Sequence, residues 1–147
     1  MTAASHRSQD REPQSIAAAA HPPPCRRHQA DYELALSDDQ AFVAIEPEWL
    51  FRIAASVLQR EHIETAEVSF ALVDDAVIRR INRRYLNHDT ATDVLSFPLH
   101  EGGGEQRVRT GRIEAEIIIS GETATRVASE LGRPPDEEVA LYAVHGL

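Results

Sequence analysis

At 147 residues, with 42% hydrophobic and 27% charged side chains, the chain has the size and composition of one globular domain and leaves little room for a second core. A net charge of −9 counts against broad electrostatic binding of nucleic acid, so any nucleic acid has to meet a local patch, built from Arg because all 15 basic residues are Arg. The single cysteine, Cys25, excludes an internal disulfide and a Cys-rich zinc cluster, and no apolar run approaches the roughly 18 residues of a membrane span, which points to a cytoplasmic protein.

Residues 1–38 are rich in Ala, Pro, Arg, His, Ser and Gln, include Pro22-Pro23-Pro24 and show no hydrophobic period before Tyr32. They are predicted to form a disordered leader ahead of a domain at 39–147, unless translation starts downstream of them. His6, His21 and His28 have no partner at ligand spacing and read as solvated side chains.

Ala41 to Ile45, ending at Glu46-Pro47, predicts a first strand followed by a helix with Pro in its first turn. Trp49, Leu50, Ile53, Ala54, Val57 and Leu58 form the apolar stripe of that helix. Val68 to Val73 predicts a second strand, and Asp74-Asp75 an N-cap. On the next helix Val77, Ile78, Ile81 and Tyr85 share one face, and Arg79, Arg80, Arg83 and Arg84 share the other. Those four Arg are either a solvated face or an RNA contact.

Asp93 to Leu99 predicts a third strand, at an edge or a strand end because Pro98 closes it. Glu101 to Gly111, with Gly102-Gly103-Gly104, reads as a hairpin or Ω-type connection, since no strand-to-helix frame makes it a phosphate cradle. Ile113 to Ile119 predicts a central strand, and Thr123 to Leu131 a helix stopped by Gly132. The final helix, Glu137 to Leu147, is apolar around most of its circumference. The order of elements predicts an α+β single domain, a mixed four-stranded sheet with packed helices and at least one antiparallel pair.

By themselves the polar candidates have two readings each. His145, on the apolar final helix, reads as a buried, hydrogen-bonded imidazole or as a metal ligand. Thr92, Asp93 and Ser96 make turn and strand-edge hydrogen bonds or line a cleft. Phe97 belongs to the core or stacks on a base, and His88 is a loop bystander or touches phosphate. Gly146 stands where a zinc peptidase helix would carry its Glu base, which argues against a peptidase.

Three segments occur together: Thr92-Asp93-Val94-Leu95-Ser96-Phe97-Pro98, then Ile117-Ile118-Ile119-Ser120 with Glu122-Thr123-Ala124, then Val144-His145-Gly146-Leu147. In order and spacing, Ala41 to Leu147 resembles the YbeY family of bacterial endoribonucleases, which act in ribosomal RNA maturation. In that family the last helix continues as His-Gly-x-Leu-His-Leu-x-Gly-Tyr-Asp-His and holds one metal, zinc, through three His. The resemblance makes His145 the first ligand and places the other two four and ten residues later, past Leu147, so that the chain reads as C-terminally truncated. It also implies a water in the fourth metal position and ribosomal RNA or the small ribosomal subunit as partner, with no DNA and no membrane. Many members carry an Arg directly after the helix Tyr, where this chain has Leu86, and a Pro where it has Ala91. The alternatives are a catalytically inactive ribosome-assembly or RNA-binding module and a non-functional fragment.

Overall fold

The computed structural model describes residues 23–29, 31–99 and 111–147. In chain order it contains β1 (Cys25–Gln29), β2 (Tyr32–Asp38), α1 (Pro47–Arg60), β3 (Thr65–Val73), α2 (Asp75–Leu86), β4 (Val94–Pro98), β5 (Arg112–Ser120), α3 (Gly121–Leu131) and α4 (Pro135–Gly146). The strands make one mixed sheet in the order β1-β2-β3-β5-β4. The inner pairs β2–β3 and β3–β5 are parallel, and β1 and β4 flank them antiparallel. Strand β4 is an edge and Pro98 is its last residue, so both positions that Pro98 allowed are met. The glycine-rich connection lies outside the described residues except for Gly111.

The α+β expectation holds, but the sheet has five strands rather than four, and two of its strands lie in the stretch expected to be leader. In β2, Tyr32, Leu34 and Leu36 alternate inward, and Tyr32 donates its hydroxyl to the Ile63 carbonyl at 2.7 Å. Strand β1, with the polar sequence Cys25–Gln29, is held by backbone pairing to β2, which no hydrophobic pattern announces. The strand expected at Ala41 to Ile45 is not one. The backbone N–H groups of Phe42 and Val43 donate to the Gln40 side-chain carbonyl at 2.7 and 3.0 Å, and the Gln40 amide donates to the Val43 carbonyl at 2.8 Å. With those groups satisfied by a side chain, the segment forms a turn.

Two cores follow from the alternation along the strands. On one face Leu34, Val68, Phe70, Ile117 and Ile119 meet Leu50, Phe51, Ala54 and Leu58 of α1 together with Ala124, Val139 and Ala143 of α3 and α4. Fully burying a large apolar side chain contributes roughly 1.5–3 kcal/mol, so this layer dominates stability. On the other face, among the described residues, the packed helix is α2, through Ile78 against Val73, Leu95 and Ile118. The part of that face left open carries one register row of Glu33, Glu67 and Glu114, of which Arg26 pairs with Glu33 and Arg112 with Glu114.

Strands β3 and β5 are parallel neighbours whose following helices leave to opposite faces, which makes their carboxyl ends a topological switch point, where open sheets commonly bind anions. Here the chain's own carboxylates fill that place. Asp75 accepts from the Ser120 hydroxyl at 2.5 Å and the Thr123 hydroxyl at 2.7 Å, while its backbone N–H donates to Glu122 at 3.0 Å. Gly121 is demanded by the same junction, since a Cβ there would lie 2.6 Å from the Gln40 side-chain oxygen. Asp75→Ala would leave two hydroxyls without their acceptor; a loss of about 1–3 kcal/mol is expected in urea unfolding, with little change in m-value.

Candidate functional site

The last turn of α4 lies against edge strand β4. The Ser96 hydroxyl donates to the Gly146 carbonyl at 2.9 Å, and a Cβ at position 146 would stand 2.7 Å from Ile117 Cγ2 and 2.9 Å from Ser96 Oγ. Contact this close needs glycine, which accounts for the residue beside His145 by packing alone. Leu147 packs on the main core and donates its N–H to Ala143.

His145 itself is exposed, contrary to the reading of a buried imidazole. The helix buries Glu138, Val139, Tyr142 and Ala143, and that stripe turns Glu137, Leu141 and His145, spaced four apart, to solvent. An apolar composition on all sides concealed which side was outward.

Thr92 and Asp93 close the entry to β4. Asp93 Oδ1 accepts from the Val94 N–H at 2.8 Å and the Thr92 hydroxyl at 2.9 Å, and the Asp93 carbonyl accepts from the Ser120 N–H at 2.9 Å. Its charge also reaches α4. The Tyr142 phenol is pushed up to about 12 by burial first, then by its hydrogen bond to Glu138 and by the charges of Glu138 and Asp93. Glu138, only 3% exposed, has one oxygen 3.4 Å from Arg133 that makes no hydrogen bond. Thr92, Asp93, Ser96, Ser120 and His145 thus fall in one region of the molecule, joined by hydrogen bonds between segments far apart in sequence.

The four arginines of α2 are not one set, and they lie on the opposite face of the sheet from α4. Arg79 is bound to Asp89 through two hydrogen bonds of 2.9 and 3.2 Å, and that bond holds the Asp89 carboxyl below the usual carboxylate range. Arg83 is exposed. Arg80 and Arg84 line a groove of about 690 Å³ between α2 and strands β4 and β5, over a floor of Val77, Ile81 and Ile118. Tyr85, on the same helix face as Val77, Ile78 and Ile81, is 61% exposed at the groove wall and meets Phe97 edge-to-face at 5.4 Å, with the Arg84 guanidinium 5.5 Å from its ring centre. Phe97 is half-buried and serves both core and groove. Glu116, at the groove's other side, was not singled out by sequence; only its alternation with Ile117 places it on this face. Leu86 is half-exposed and His88 exposed.

Among the described residues no three His, Cys, Asp or Glu converge as a metal cage. His145 is exposed and belongs to no such cluster, so the described residues alone do not fit a tightly held zinc.

The architecture defines a small α+β protein whose final helix ends against the edge strand of a mixed sheet and carries an exposed histidine in its last turn. Residues 36–147 match the family described as Endoribonuclease YbeY, and the chain belongs to that family. It is 44% identical over 103 residues to the Endoribonuclease YbeY of Pelotomaculum thermopropionicum, covering 67% of this chain and 65% of the relative. It is 46% identical over 85 residues to that of Moorella thermoacetica, covering 55% and 54%. Against the curated relatives it matches, the chain spans between about a third and two thirds of their length. A solution structure of a Thermotoga maritima protein superposes with a TM-score of 0.48 at 25% identity, covering 67% of this chain and 59% of that one. Among the described residues no helix is long and apolar enough to cross a membrane.

Gly146→Ala is expected to cost about 1–3 kcal/mol in thermal or urea unfolding, because neither Ile117 nor Ser96 can recede freely from the added methyl. Tyr142 gives a pH signature. Its phenol binds its proton more tightly in the folded state, so the associated stability is complete below the ordinary value of 10.0 and is lost as pH rises toward about 12. Tyr142→Phe is expected to flatten that alkaline loss relative to the parent, measured by urea unfolding at a series of pH values.

Proposed function

We propose that this chain carries the core of a zinc-dependent endoribonuclease that prefers single-stranded RNA and works in small-subunit rRNA maturation and ribosome biogenesis in the cytoplasm. Family membership supports the nuclease reading. The observation that carries it is the Ser96–Gly146 hydrogen bond, which joins two of the three motif segments and seats His145 beside the edge strand. In this reading His145 is one of three imidazoles holding the ion. Thr92, Asp93 and Ser96 form the adjoining cleft wall and position its backbone. Arg80, Arg83 and Arg84 contact the RNA backbone, and Arg79 does so only after giving up Asp89. Leu86 offers no charge to stabilise the phosphorane-like transition state, so that task falls to other groups.

The absence of a three-ligand cluster among the described residues favours a second reading, a module that binds RNA or the small ribosomal subunit without cutting. Zinc content and cleavage of labelled single-stranded RNA separate the two. The 147-residue chain is expected to retain well under one zinc and to leave RNA intact. A chain continued past Leu147 with imidazoles four and ten positions after His145 is expected to hold about one zinc and to cut RNA, with His145→Ala abolishing both. Cleavage that survives His145→Ala would reject the proposed role of this residue, and an extended chain that holds zinc without cutting would favour the module.

A further inference from the structure

The geometry points to a nucleobase-binding subsite in the groove between α2 and β4, on the other face of the sheet from His145, where one unstacked base of a single-stranded RNA lies against Tyr85 and Phe97 while Arg80 and Arg84 hold its flanking phosphates. The inference rests on the RNA reading proposed above and adds where the strand is gripped away from the cleft.

Three features select this occupant. Tyr85 leaves 61% of its surface in solvent, although its ring is already oriented by the edge contact with Phe97 and by Arg84. A ring held on two sides and open on another offers a stacking platform with little ordering left to lose, and stacking on aromatic and guanidinium planes is how unpaired bases are gripped. The groove, at about 690 Å³ with an apolar floor of Val77, Ile81 and Ile118, has room for a base and suits its flat apolar faces.

The charges give it direction. Among the described residues Arg80 and Arg84 have no carboxylate partner, in contrast to Arg79, so their charge is available to phosphates. Glu116 lines the groove as well, without an ion-pair partner among the described residues; it repels a phosphate at the floor and accepts from base N–H groups. Beyond Glu116 lies the row of Glu33, Glu67 and Glu114, of which Arg26 and Arg112 pair with the outer two and Glu67 disfavours a phosphate strand crossing that face. The favoured course of the RNA is therefore along β4, base inward and backbone on α2. Charge complementarity to a polyanion thus separates this site from an ordinary apolar patch.

Fluorescence anisotropy of a labelled single-stranded RNA heptamer on the 147-residue chain tests the assignment independently of cleavage. Tyr85→Ala is expected to weaken binding roughly tenfold, with Tyr85→Phe restoring it. Arg80→Ala and Arg84→Ala are each expected to lower the slope of log affinity against log salt by about 0.7. Both side chains and Tyr85 are exposed, so far-UV circular dichroism should show these variants folded. If the parent binds and Tyr85→Ala binds equally well, the subsite is overturned while the nuclease reading stands. If the parent binds no RNA up to millimolar concentration, both fail.

Discussion

The seam between the last turn of α4 and edge strand β4 is the constraint on which the site depends. An edge strand offers unsatisfied backbone on one side and a shallow face, and α4 can settle on it only because position 146 has no side chain. Once the helix is that close, a hydroxyl on β4 reaches a carbonyl that helix geometry leaves without an intrahelical partner. A single residue choice thus fixes the height and rotation of the helix, and rotation decides that Leu141 and His145 look outward while Val139 and Ala143 look in.

The opposite arrangement governs the switch point between β3 and β5. Open parallel sheets tend to leave a crevice there with two helix amino termini aimed into it. In this chain Asp75 and Glu122 occupy the crevice, each carboxylate taking donors that an external anion would otherwise receive. At the antiparallel edge, by contrast, the histidine-bearing helix and the arginine-bearing helix stand on opposite faces of the sheet.

Much of this was legible in the residues. Pro47, Asp74 and Gly132 mark helix ends where they were expected, whereas α3 begins at Gly121 behind a Ser120 cap rather than at Thr123, and Pro98 stands at the end of an edge strand. The failures share a physical origin. Strand β1 is stabilised by main-chain pairing, which composition does not encode, and Ala41 to Ile45 has strand-like residues whose backbone partners are taken by Gln40. Periodicity assigned Tyr85 to the apolar side of α2 correctly, but in the helix's last turn its ring meets the edge of Phe97 and the Arg84 guanidinium and stays largely exposed. Likewise four arginines at helical spacing look equivalent until Asp89 claims one of them.

The glutamate row, on the part of the sheet that no described helix covers, bears on how copies of the molecule meet. A β-sheet face without a helix over it is a flat surface on which a second sheet can settle. Glu67 is exposed at the centre of the row, with Glu33 and Glu114 in the adjacent strands. Arg26 and Arg112 pair with the two flanking carboxylates, so Glu67 is the charge that two such faces brought together would leave dehydrated against its counterpart, and it discourages stacking of neighbouring molecules.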